Sequence, residues 1–492
     1  MTMQDLARQD SVRSMSASEL GDAYRSGLLS PIDVAAELLD TIPQVNAEIN
    51  AFCLVDPDTT MAAARESAAR YAASTPLSPL DGVPVSIKDL LLTEGWPTLR
   101  GSLTLRPDTQ RCDVDAPAVA RLRDAGAVPL GKVTTPEFGW KGVTDSPRTG
   151  ITRNPWSTDR TSGGSSGGSA AALAGGLGPL SVGTDGGGSI HIPAAFCGIV
   201  GLKPTLGRVP MYPPSPFAPV AHVGPMTRNV VDCALLLDVI SGFDSRDWSA
   251  GPTPQPVAPA IIAGERGLAG ARIAYSPDLG YGINDTAVQA NTEAAVGVLR
   301  DLGATVDEVD IGWDDPVWAY HTVWFAGAAA VVEGLDPALR ELVDPKLLAA
   351  LERHSDFSAA DYVDATALRM AMGTQMGALH EDYDVLVTPS MPSVAFEAGA
   401  DVPAGSSSQD WTSWTPYSYP FNLTGQPAIT VPSGFAQNPL LPTGIQIVGA
   451  RHYDATVLRV AAAYESAANA GALAEVTLQR KPQIPNESRD GS

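Results

Sequence analysis

Basic charge is scarce in this chain: 32 lysines and arginines stand against 55 acidic residues, a net charge of −23 over 492 residues. A surface so poor in cations does not neutralise phosphates, which argues against nucleic acid as a partner and against anionic membranes. Cysteine is rarer still. Cys53, Cys112, Cys197 and Cys233 are widely spaced and form no CxxC pair and no His/Cys cluster. Neither a disulfide framework nor a metal site is therefore expected, and the four read as buried packing residues. Long apolar runs are missing too: the most apolar window, 170–182, is too short and too glycine-rich to span a bilayer. The opening MTMQDLARQD has no basic n-region and no apolar h-region, so no signal peptide and a cytoplasmic location are expected. No internal repeat is visible. What remains, 44% apolar and 18% charged residues, is the composition of a globular protein with a large core.

Local signals alternate between helix and strand. Ser16-Ala17-Ser18-Glu19 is a capping box, and Ser30-Pro31-Ile32-Asp33 is a cap followed by proline at the first helical position. With an alanine-rich stretch over 59–73, they make residues 1–75 a helical segment expected to pack on the core. Asp81-Gly82 turns into a short buried strand, 83–87, that delivers Lys88 and Asp89. A helix over 116–125 and a strand over 127–130 follow, and a β-α-β run spans 272–309. Such alternation predicts an α/β fold with a largely parallel or mixed sheet. Residues 244–270 read as an exposed connector, 313–382 as mostly helical, 384–389 as a buried strand, 454–470 as a closing helix and 479–492 as a tail.

Small residues are densest over 160–205. Gly163-Gly164-Ser165-Ser166-Gly167-Gly168 and Gly186-Gly187-Gly188-Ser189 are separated there by a helix expected over 169–174 and a strand over 180–182. Loop, helix, strand and loop bring the chain back near its start, so the two serine loops are expected to meet. Glycines suit positive φ and close approach of N–H groups to a reacting atom. A glycine-serine run taken alone also fits a flexible loop. Residues 163–167 satisfy GxSxG, but a nucleophile elbow needs an apolar strand before it, and 154–161 reads NPWSTDRT. A phosphate-binding loop is excluded because no Lys-Ser/Thr follows the glycines.

The remaining chemistry uses a lysine. A serine hydroxyl needs a neighbour to take its proton; none of the six histidines stands in a recognisable triad context, whereas Lys88 ends an apolar strand. Burial that lowers a lysine pKa from about 10.4 to roughly 7–8 costs about 3–5 kcal/mol, which buried lysines do reach. Ser165 would relay the proton between Lys88 and Ser189, and the N–H groups of Gly186, Gly187 and Gly188 would hold the developing oxyanion.

DGVPVSIKD (81–89), RNPW (153–156), SGGSSGGSAAA (162–172), GTDGGGSI (183–190) and CGIVGLKPT (197–205) follow one another in this order. GPMTR (224–228), DVLVTPSMP (384–392), FNLTGQPAITVP (421–432) and GIQIVG (444–449) continue it. In order and spacing the chain resembles the amidase signature family. The resemblance implies an α/β/α sandwich with a central mixed, largely parallel twisted β-sheet covered by helices on both faces. It implies a catalytic domain over 76–478, with 244–385 as a more variable, partly helical insert. No cofactor is implied. Carried over by motif, Ser189 is the nucleophile, Ser165 the bridging serine with a cis peptide on its N-side, and Lys88 the base. Ser166 becomes an accessory hydrogen-bonding residue, while Thr184 and Asp185 shape the oxyanion loop.

Two positions depart from the pattern. His191 stands where many members carry arginine, which weakens the case for acidic substrates; its plain reading is a packed histidine. Gly186 replaces bulkier residues, which is expected to loosen the loop. Two aromatic clusters, Trp313, Trp318, Tyr320, Trp324, Phe325 and Trp411, Trp414, Tyr417, Tyr419, Phe421, fit either pocket walls or core. The expected activity is hydrolysis of neutral, apolar or aryl amides through a Ser189 acyl-enzyme, with a small-molecule amide or carbamate as the partner. Urethane or ester hydrolysis by the same triad, the glutamine-hydrolysing component of a tRNA amidotransferase, and a non-catalytic scaffold are the alternatives. A homodimer is expected from base rates alone.

Overall fold

Eleven strands join into one sheet, and their order decides where the polar residues meet. In chain order they are β1 (Phe52–Val55), β2 (Pro84–Lys88), β3 (Val128–Val133), β4 (Leu180–Asp185), β5 (Val200–Lys203) and β6 (His222–Thr227). Then come β7 (Arg272–Tyr275), β8 (Thr305–Glu308), β9 (Val385–Pro389), β10 (Ala428–Ala436) and β11 (Leu441–Gly449). The computed structural model describes residues 12–217, 219–264 and 267–469. The tail read over 479–492 lies outside them. Across the sheet the order is β1-β3-β2-β4-β6-β5-β10-β11-β9-β7-β8.

Side chains alternate across the sheet, and two apolar cores follow from that. Ile273, Tyr275, Val385, Val387, Ile445 and Ile447 face one core. It is shared with the helices Ala17–Arg25, Pro31–Ile49, Val230–Ile240 and Asp454–Asn469. The intervening Ala274, Leu386 and Val448 face the other core, with the helices Val317–Glu333 and Ala359–Asp382. The expected mixed sheet covered by helices is therefore present. Its pairing is less parallel than the sequence suggested. β2 runs parallel to β3 and β4, and β7 to β8 and β9. Every other neighbour pair is antiparallel. The reason is connection length: β10 and β11 form a hairpin, and β6 returns between β4 and β5.

Three strands differ from the sequence reading. β1 interrupts the N-terminal helices and pairs with β3, and β5 and β6 lie in the middle of the sheet. Gly224-Pro225 reads as a breaker, yet Pro225 pairs opposite Val182 of β4. Proline cannot donate to a ladder. The ladder from β6 to β5 accordingly involves only Met226 and Thr227. The cysteines also differ: Cys197 and Cys233 are buried, but Cys53 is exposed and Cys112 half-buried, all with free thiols. Among the described residues no helix is long and apolar enough to cross a membrane.

The N-terminal helix is fastened from a distance. Asp232, fully buried, accepts from the Ala17 N–H at 2.8 Å and the Ser18 N–H at 3.2 Å, and Asn229 Nδ2 donates to it at 2.9 Å. These are the first-turn N–H groups that a helix cannot satisfy internally. Asp232→Ala leaves buried donors unpaired and is expected to cost about 2–4 kcal/mol, since each unmade buried bond costs about 1–3. Urea unfolding checks it; a midpoint equal to the parent protein's refutes the tether.

Candidate active site

β2 ends in Lys88 and β4 in Thr184 and Asp185, and the parallel register sets Ile87 opposite Val182, so the two carboxyl ends lie side by side. The Lys88 side chain is fully buried. Its Nζ lies 2.7 Å from Ser165 Oγ, 2.8 Å from Ser166 Oγ and 2.9 Å from Thr184 Oγ1. All three partners are neutral hydroxyls. Burial pulls the Lys88 pKa well below the ordinary 10.5, and the Asp185 charge only partly opposes this. Ser166 Oγ spends its proton on the Thr184 carbonyl, 3.0 Å away, so toward Lys88 it only accepts. A neutral Nζ then has its lone pair free for the hydroxyl proton of Ser165 or Thr184.

The two serine loops meet, as expected. Ser166 N–H donates to the Ser189 carbonyl oxygen at 3.1 Å, and the Gly164–Ser165 peptide is cis. Ser166 ends the first loop immediately before the short helix Gly167–Ala174. Ser165, Thr184, Asp185, Gly186 and Ser189 all line one cleft that opens to solvent. Lys88 sits behind its wall.

Asp185 organises the glycine loop from inside. Its Oδ1 accepts from Gly188 N–H at 2.7 Å and from Asn422 Nδ2 at 2.8 Å; its Oδ2 accepts from Ile190 N–H at 2.7 Å and His191 N–H at 3.4 Å. Four donors hold the carboxylate ionised despite its burial. One expectation changes as a result. The Gly188 N–H is committed to Asp185 and does not face the cleft, because the loop folds back over that carboxylate. Gly186, Gly187 and Ser189 keep backbone N–H groups with no partner among the described residues. Gly188 has φ +118°, and a Cβ there would come within 2.5 Å of Ser418 Oγ.

Gly186 is not a loosening. A Cβ on it would lie 2.5 Å from Trp324 Cζ3, so the indole already fills that space. Trp324 stacks on Phe217 with centroids 4.1 Å apart and donates from Nε1 to the Trp140 carbonyl at 3.1 Å. The aromatic clusters divide accordingly. Trp324 lines the cleft, Tyr320 and Trp411 back Gly187, Trp318 is exposed, and the others are core. His191 is a packed histidine: its Nδ1 lies 2.9 Å from Thr430 Oγ1, and burial lowers its pKa to about 4.

Sequence reasoning missed several participants. Asn422 lies within a matched motif but received no role. Leu90, Phe138 and the loop from Met211 to Phe217 line the cleft without periodicity or motif to mark them. The structure also gathers His321, His354 and Asp410, far apart in sequence, with donor atoms within 4.8 Å of one another. His354 Nε2 lies 3.1 Å from Asp410 Oδ1, His321 Nε2 2.6 Å from Thr412 Oγ1, and Arg353 also pairs with Asp410.

Known proteins resemble this chain in sequence and in fold. The model of the Amidase family matches residues 33–458. An acylamidase of Rhodococcus erythropolis is 36% identical over 92% of this chain and 95% of its own length. A glutamyl-tRNA(Gln) amidotransferase subunit of Symbiobacterium thermophilum is 37% identical over 92% and 96%. Among solved structures, a bacterial aryl acylamidase superposes with a TM-score of 0.87 at 28% identity, covering 95% of this chain and 99% of its own. The motifs, the mixed sheet and these similarities converge: the chain is an amide hydrolase and belongs to the amidase signature family.

Proposed function

We propose that the protein hydrolyses neutral, apolar or aryl amides through an acyl-enzyme on Ser189, with Ser165 as proton relay and Lys88 as base. One observation carries the reading: a fully buried lysine whose side-chain nitrogen meets only hydroxyls, Ser165 among them. A lysine in that setting is neutral more readily than in water and accepts a proton. Ser189 Oγ attacks the carbonyl carbon while its proton passes to Ser165 and the Ser165 proton to Lys88. The carbonyl oxygen gains the negative charge, and the free N–H groups of Gly186, Gly187 and Ser189 receive it. Collapse breaks the C–N bond, and the proton returns along the same route to the leaving amine. Water then attacks the Ser189 ester by the same relay, releasing the acid. Leu90, Phe138, Phe217 and Trp324 give the cleft walls that suit an apolar or aryl group.

The same steps cleave aryl carbamates and esters. The similarity to amidotransferase components supports a second reading, glutamine hydrolysis in company with another protein. The apolar cleft favours the first.

Four measurements test it. Ser189→Ala is expected to lower anilide turnover by about 10³-fold or more, and Lys88→Ala by about 10²–10⁴-fold. Fluorophosphonate labelling followed by peptide mass mapping should place the adduct on Ser189; an adduct on Ser165 overturns the assignment. A panel of anilides, aryl carbamates and glutamine, assayed on the purified chain, separates the substrate classes. The fourth measurement is the pH profile. Lys88 must be unprotonated to act, so kcat/KM rises with pH and levels off well below pH 10.5. An acid limb at the ordinary lysine value removes Lys88 as the base.

A further inference from the structure

Arg100 lines the cleft beside Leu90, Leu91 and Phe138. It is half-buried, and among the described residues no hydrogen bond or ion pair engages its guanidinium. Its backbone is fully committed. The carbonyl accepts from Phe138 N–H at 2.8 Å, and the N–H donates to Asp89. It also holds φ at +52°, the left-handed region where a side chain costs about 1–2 kcal/mol and glycine is favoured. A long cationic side chain is thus kept at a strained position, with its charged end unpartnered, in the wall of the substrate cleft.

The acids nearby are already spent. Asp89 is bonded by Lys132 Nζ at 3.3 Å and Leu99 N–H at 3.2 Å, and Asp185 by its four donors. Arg100 and Asp185 are the only charged side chains among the described residues lining the cleft. A guanidinium keeps its charge in any such setting and binds carboxylates through paired N–H donors. We infer that Arg100 is a specificity residue that receives a carboxylate carried by the amide substrate, away from the scissile bond. This rests on the proposed amide hydrolysis and revises one part of it, the neutrality of the substrate: the substrates are apolar at the reacting end and anionic at one other point. The case against acidic substrates drawn from His191 concerned one missing arginine; Arg100 supplies a cation from a different loop.

Binding to the Ser189→Ala protein tests it without relying on turnover. Two matched pairs are titrated by calorimetry. Glutaric acid mono-4-nitroanilide against pentanoyl 4-nitroanilide places the carboxylate on the acyl half. 4-Acetamidobenzoate against acetanilide places it on the amine half. In one pair the carboxylate compound is expected to bind more tightly. Adding Arg100→Met should weaken that compound about tenfold or more relative to its neutral partner, the loss of one charge-assisted bond. Arg100→Lys should recover part of it. Equal discrimination with and without Arg100, or no binding of either carboxylate compound, overturns the inference. Turnover of pentanoyl 4-nitroanilide by the parent protein, abolished by Ser189→Ala, separates this outcome from a failure of the amidase reading itself.

Discussion

A lysine buried without a counter-ion is the constraint on which the site depends. Lys88 is surrounded by Ser165, Ser166 and Thr184, none of which carries charge. The nearest acid of consequence, Asp185, is turned away to bind backbone N–H groups of its own loop. Were Asp185 paired with Lys88, the ammonium would be stabilised and the lysine useless as a base at neutral pH. The chain keeps the two charges apart and gives each a separate task. Lys88 meets only neutral hydroxyls, and Asp185 holds the glycine loop through the N–H groups of Gly188, Ile190 and His191.

That arrangement needs the strand ends to be placed accurately, and the sheet does so. β2 and β4 are parallel neighbours, so Lys88 and Thr184 emerge at one edge, where ligands of parallel sheets commonly bind. Ser166 and Ser189 then tie the following loops together through one backbone hydrogen bond. The helices Val317–Glu333 and Ala359–Asp382, packed on one face, bring Trp324 over this edge and close the cleft with aromatic surface.

Much of this was legible in the sequence, and the gaps have physical causes. Lys88, Ser165 and Ser189 stand out because glycine-rich loops and an apolar strand ending in lysine are unusual locally. The capping box at Ser16 and the Ser30-Pro31 helix start follow from short-range chemistry and appear in the structure as read. β6 was hidden because Gly224-Pro225 looks like a turn, and only its neighbours on both sides make it a strand. Gly188 was misassigned because hydrogen-bond direction depends on how the loop folds back over Asp185, which no local pattern encodes. Arg100 and Phe217 carry no motif at all; only tertiary contact sets them in the cleft.

Gly186 and Trp324 share one volume, although 138 positions of sequence separate them (324 − 186). The indole sits where a side chain on residue 186 would go, so the two sites are not free to vary independently. Enlarging residue 186 requires a smaller residue 324, and shrinking residue 324 alone opens a hole beside the N–H groups. Substitutions at the two positions are therefore expected to be tolerated as a pair rather than singly. A chain that trades the glycine for bulk and the tryptophan for something slight would move the cleft wall from helix to loop and leave the contact between Lys88 and Ser165 untouched.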